Sequence, residues 1–135
     1  NGLINEKKIK EHSQKILSDF SVNTENVELK SQFLSGGNLQ KLIIGRELIT
    51  SPELLICFNP TWGLDVGAIN YIHETLIKIN EQKKSIILIS TDTDELLKLC
   101  DKICVIFKGK LSNIMNAEEV TSEKLGILMG GGEIV

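Results

Sequence analysis

The chain has 135 residues, 41% hydrophobic and 24% charged, with a formal net charge of −3. That is enough chain to bury roughly two-thirds of its extended surface as one domain of ordinary soluble composition. Lys83-Lys84 and Lys108/Lys110 are scattered pairs rather than the basic face of a nucleic-acid binder, and the apolar runs "LLIC" and "IILI" are far too short to cross a bilayer.

In chain order, "NEKKIKEHSQKILSDF" from Asn5 to Phe20 puts Ile9, Ile16, Leu17 and Phe20 near one side of a helix. The stretch "SVNTENVELKSQF" has no period and reads as an irregular connector. A second helix is expected from about Gly37 to Thr50, stopped by Ser51-Pro52 because proline disfavours helical geometry in the residue before it. "ELLICF", 53–58, is a short continuous apolar run closed by Asn59-Pro60, the pattern of a strand buried on both faces. Ile69, Ile72, His73, Leu76 and Ile79 or Asn80 then recur at helical spacing, with Asp65 as cap. "SIILIS", 85–90, is a second buried strand, and Thr91 with Asp94 reads as a capping box for a helix through Leu99.

"KICVIF" and "KLSNIM" flank Lys108-Gly109 as a hairpin. Thr121 caps a last helix, with Val120 and Leu125 as a hydrophobic staple and Gly130 to Gly132 as its end. Strands alternating with helices give an α/β fold with a parallel sheet. Cys57, Cys100 and Cys104, an odd count among apolar neighbours without a C-x-x-C, read as buried reduced thiols of a cytosolic protein.

"LSGGNLQK", 34–41, carries the most chemistry. With Ser35 as cap, the amides of Gly36, Gly37 and Asn38 fall in the first helical turn, which lacks internal partners and sits at the positive end of the macrodipole. Such a turn can hold a phosphate, and bare glycines permit close approach. An ordinary capped helix with a tight glycine turn would show the same residues. A GxxxxGK[ST] loop is absent.

The longer string resembles the signature motif of ATP-binding cassette (ABC) ATPases, in the form of the simple-sugar and nucleoside import subfamily. "PTWGLDVGA", 60–68, is similar to that subfamily's passage from the Walker B strand into the D-loop. "SIILISTDTDELLKLCDKICVIFKGKL" resembles the switch strand, its helix and the strand pair beyond, and "TSEKLGILMGG" the C-terminus of the nucleoside branch. Together the matches run from about Phe33 onward. The resemblance implies the C-terminal part of a second cassette with a partial P-loop NTPase fold: about 1–50 from the helical subdomain, about 51–135 from the catalytic core. The opening on Asn1 rather than methionine agrees with a piece of something longer.

In that family ATP is sandwiched between two cassettes. The resemblance therefore implies that Ser35, Gly36, Gly37, Asn38 and Gln40 face the ATP of a partner cassette, with Asp65 as the D-loop aspartate. Mg2+ would sit chiefly at that partner's site. Permease subunits, a substrate-binding protein and a location at the cytoplasmic face of the membrane follow from the same resemblance. So does ATPase activity for the full-length protein, but not for this piece alone.

The chain's own half-site departs from the family pattern. Phe58-Asn59 stand where Asp-Glu is usual, and Thr91 where the switch histidine would be. Phenylalanine accepts no hydrogen bond from a magnesium-bound water, and asparagine takes no proton, although an amide can orient water. His12 and His73 read as structural. Asp65 remains either a helix cap or an interface contact, and Trp62 either a packed aromatic or an interface anchor. A catalytically silent structural or interaction domain is the alternative reading. The family's Walker A strand would lie between residues 85–90 and 102–107; its absence implies open strand edges and self-association of the isolated chain.

Overall fold

The computed structural model describes residues 4–24 and 26–132; Asn1, and Glu25 within the connector, lie outside the described residues. The chain divides into two compact units, Asn1–Leu55 with Pro60–Ser85 and Ile56–Asn59 with Ile86–Val135.

In the first unit α1 (Glu6–Asp19) is capped by Asn5, whose side chain accepts from the Lys8 amide. Ile16 is buried, whereas Ile9 of the expected apolar side stays exposed. The helix stops in a built turn: Ser21 takes φ 50°, its amide reaches Ser18 O at 3.2 Å, and Val22 N reaches Leu17 O at 2.9 Å. That pair of bonds is a Schellman closure with serine in the glycine position, and it buries Val22 at the start of the connector.

The helix α2 (Gly36–Leu48) packs on α1 at Gly45, where an added Cβ would meet Ile16 and Phe20 at 2.7 Å. It ends ahead of the expected Thr50; Ser51 adopts φ 50° and bonds back to Leu48 O before Pro52. The helix α3 (Val66–Glu81) buries Ile72, His73, Leu76 and Ile79 of the expected stripe, but Ala68 rather than Ile69 is its first buried residue, Ile69 being half-buried. His73 is thus a core residue, while His12 is exposed.

Strands β1 (Leu54–Phe58) and β2 (Ser85–Ile89) form a two-stranded sheet. Ser85 N donates to Glu53 O at one end and Asn59 N to Ile89 O at the other, so the pairing is parallel. Burial on both faces, expected from the apolar run, is not found. Leu55 and Cys57 are buried, but Leu54, Ile56 and Phe58 are exposed, as are Ile87 and Ile89 of β2. Alternating side chains leave one face of the sheet bare, because no layer of the described chain covers it.

The second unit holds α4 (Thr93–Leu99), four two-residue strands β3 (Lys102–Ile103), β4 (Ile106–Phe107), β5 (Lys110–Leu111) and β6 (Met115–Asn116), and α5 (Ser122–Met129). The strands are antiparallel, β4 with β5 and β3 with β6. Lys108 and Gly109 have φ 46° and 77°, the two left-handed residues of a type I′ hairpin turn. Between the ladders Ser112 substitutes for regular pairing: its amide donates to Val105 O at 2.8 Å, and its hydroxyl accepts from Val105 N at 2.9 Å.

Ile103, Val105, Ala117, Val120 and Leu125 form this unit's core, so both halves of the expected staple are buried there. Thr121 caps α5 as expected. The helix closes on a Schellman turn with Gly131 at φ 83°, Gly131 N on Leu128 O and Gly132 N on Ile127 O. The cap of α4 is a correction: Asp92, not Thr91, accepts from the amides of Asp94 and Glu95. Thr91 is held elsewhere, as described below.

Candidate functional site

Ser35 is the N-cap of α2, extended at φ −62°, ψ 156°, with its hydroxyl accepting from Asn38 N at 3.4 Å and from the Asn38 side-chain amide at 3.0 Å. Asn38 in turn accepts from Asn23 N through Oδ1 at 2.9 Å. The sequence reading set three amides facing outward; the Asn38 amide is instead taken by the cap, which leaves those of Gly36 and Gly37 as the first-turn donors without helical partners. Ser35 and Gly36 are exposed, while Gly37, Asn38 and Gln40 are half-buried.

The same unit brings Asp65 to this turn. Its Oδ1 accepts from Ala68 N at 2.9 Å as the cap of α3, and its Oδ2 lies 3.8 Å from where a Cβ on Gly37 would sit. Leu64 reaches to 3.4 Å of a Cβ on Gly36. Trp62 is 84% exposed, beside Gly63 at φ 73°.

Phe58, Asn59 and Thr91 lie in the second unit. Phe58 is exposed and carries no oxygen for a metal-bound water. Asn59, at φ 43°, is tied in twice: its amide donates to Ile89 O at 2.7 Å, and its Oδ1 accepts from Thr91 N at 3.2 Å. One of the two acceptor positions of that carbonyl is therefore taken by backbone. These positions hold no carboxylate, so they do not fit Mg2+. Among the described residues no His, Cys, Asp and Glu cluster has the makings of a metal site. Sequence reasoning missed the Asn59–Thr91 link; the Asn-Pro ending of β1 signalled a turn but not its partner.

Cys57 is buried, Cys100 half-buried and Cys104 exposed, which corrects the expectation of three buried thiols. Burial, with the Glu95 carboxylate adding to it, pushes the Cys57 thiol up to about 11; burial, Asp101 and Glu95 raise Cys100.

No family model matches the sequence. Individual proteins do. The chain is 43% identical over 133 residues to the nucleoside import ATP-binding protein NupA of Lactococcus lactis, covering 98% of this chain and 26% of that protein. The guanosine import ATP-binding protein NupO of Bacillus subtilis is 38% identical over 130 residues, with 96% and 26% covered. The chain belongs to the ABC transporter ATP-binding proteins. It spans about a quarter of the length of these relatives.

Solved ABC cassettes share the fold. A dimeric ATP-binding cassette in a post-hydrolysis state with ADP and Pi superposes with TM-score 0.71 at 22% identity, over 87% of this chain and 50% of that one. A subunit of the cbiONQ ABC transporter complex of Clostridium perfringens gives 0.65 at 28% identity, over 95% and 51%. The chain thus has a partial P-loop NTPase fold of the ABC type, α/β with a parallel sheet.

Proposed function

We propose that this chain is the C-terminal part of the second cassette in an ABC importer ATPase for nucleosides or simple sugars, and that its Ser35–Gly37 turn contacts the terminal phosphate of an ATP held by the partner cassette. The observation that carries this reading is the exposure of Ser35 and Gly36 at the start of a 13-residue helix, whose first-turn amides at Gly36 and Gly37 have no helical partners. Two backbone N–H groups and the macrodipole supply a preorganised anion cradle. Asn38 holds the cap of that cradle in place, and Gln40 of the same helix is proposed as a further contact to the nucleotide.

The chain's own catalytic positions, Phe58, Asn59 and Thr91, support nucleotide occupancy with little turnover. Mg2+ belongs to the partner's half. The isolated chain neither binds ATP tightly nor hydrolyses it. The likeness to import proteins supports permease subunits and a substrate-binding protein as further partners, at the cytoplasmic face of the membrane. Among the described residues no helix is long and apolar enough to cross a membrane. The bare sheet face of Ile56, Phe58, Ile87 and Ile89 supports self-association of the isolated chain; a monomer mass in solution at micromolar concentration would refute it.

The test uses the assembled transporter. Gly36→Asp abolishes ATPase activity, because a carboxylate would be placed against phosphate, whereas Thr91→Ala barely changes it. The reverse ranking would refute the assignment. The Asn59 side chain, tied to the Thr91 backbone, favours one second reading, a catalytically silent interaction module. Unimpaired transport in Ser35→Arg would select it.

A further inference from the structure

Gly36 and Gly37 are adjacent and chemically identical, yet they meet different surroundings. A Cβ on Gly36 would reach Leu64 Cδ2 at 3.4 Å, an ordinary van der Waals contact with the end of a flexible side chain. A Cβ on Gly37 would meet the Cβ of Ala68 at 2.9 Å, inside contact distance. Alanine has no rotamer with which to turn away. Ala68 is itself immobilised: it is buried in α3, and its amide is bonded to the Asp65 cap.

We infer that Ala68 is a positioning residue for the signature turn, seating the first turn of α2 against the first turn of α3 through Gly37, and that residue 37 is glycine because of Ala68 rather than because of the ligand. The inference rests on the proposed contact between this turn and a partner's ATP. Gly37 then serves two directions at once. Its missing side chain faces Ala68, while its amide remains in the outward donor set with that of Gly36. Asp65 borders the same contact, its Oδ1 bonded to Ala68 N and its Oδ2 3.8 Å from the Cβ position of Gly37.

An alanine at 37 would keep the N–H donor but lift the turn, and a displacement of about 1 Å in a positioned group can cost on the order of a hundredfold in rate. The sign of the stability change is diagnostic as well. In an open helical site glycine to alanine stabilises; at this seat it destabilises.

The experiment is a double-mutant cycle in the full-length protein assembled with its permease: Gly37→Ala, Ala68→Gly and the pair. ATP turnover and KM are measured well below the melting temperature, with melting recorded in parallel and Gly36→Asp as the control for the signature reading. Gly37→Ala is expected to lower both kcat and melting temperature with KM little changed, as for an interaction used in the transition state. Adding Ala68→Gly should recover most of kcat, because the clash is removed while alanine stays at 37. A pair as inactive as Gly37→Ala alone would overturn the inference, placing the need for glycine on the ligand side. A higher melting temperature in Gly37→Ala would overturn the seat itself. Full activity in Gly36→Asp would remove the signature reading, and the positioning role with it, while the melting cycle would still report whether the two residues touch.

Discussion

Asn59 and Thr91 are joined across the ends of two parallel strands, carboxamide to backbone: Asn59 Oδ1 accepts from Thr91 N at 3.2 Å, and the Asn59 amide donates to Ile89 O at 2.7 Å. The residues we propose to stand at two catalytic positions of the family are thus tied to one another. Asn59 manages this from φ 43°, a left-handed conformation that asparagine tolerates better than most side chains.

Replacing Asn59 should therefore be a stability event before it is a chemical one. Asn59→Ala loses the acceptor and adds left-handed strain, an expected cost of about 1–3 kcal/mol by urea denaturation. Asn59→Glu restores a carboxylate in name only. Its longer side chain gives up the short reach to Thr91, and we expect no gain in ATP turnover in the assembled protein. A rise in turnover would show that the base alone was missing.

Asp65 offers a cleaner separation of roles. As the cap of α3 it is worth about 0.5–2 kcal/mol, lost in Asp65→Ala and mostly kept in Asp65→Asn, since an amide oxygen can accept from Ala68 N equally well. Denaturation midpoints of the two variants test that. If the carboxylate also contacts the partner cassette, Asp65→Asn should lower turnover of the assembled transporter while leaving the midpoint near that of the parent.

Helix starts were legible because their chemistry is carried by one side chain: Ser35, Asp65 and Thr121 all cap where a cap was expected. Helix ends were less so. The left-handed closing positions of the first three helices fall on Ser21, Ser51 and Lys83 rather than on glycine, so no residue announced them. Asp92 displaced Thr91 as a cap because its carboxylate accepts two amides at once. The bare face of β1 was hidden for another reason. "LLICF" is apolar at every position, and periodicity cannot tell which alternate residues the described chain leaves uncovered.

Trp62 is the only tryptophan of these 135 residues and 84% exposed, so the intrinsic fluorescence of the isolated chain reports on it alone, and in the assembled transporter the difference from Trp62→Phe does so. The isolated chain should emit near the wavelength of tryptophan in water and be quenched readily by acrylamide. If Trp62 is an interface anchor, emission should move to shorter wavelength and quenching fall when ATP closes the assembled cassettes. Unchanged emission on assembly would assign it no interface role.

The cysteines should separate by reactivity and by pH. Cys104 is exposed and is expected to react first with a thiol reagent at neutral pH; Cys57 should be protected until the chain unfolds. Cys57 has its thiol raised from 9.0 to about 11, chiefly by burial and secondly by the negative charge of Glu95. Below pH 9 the thiol is protonated folded or unfolded, and it contributes no pH dependence. Between pH 9 and about 11 the unfolded chain releases its proton while the folded chain retains it, so stability falls as pH rises, by at most about 1.4 kcal/mol per pH unit. Cys57→Ala should flatten this part of the curve, measured as urea midpoint against pH, although it also leaves a small void. An alkaline decline of the same slope in Cys57→Ala would assign the loss to other groups.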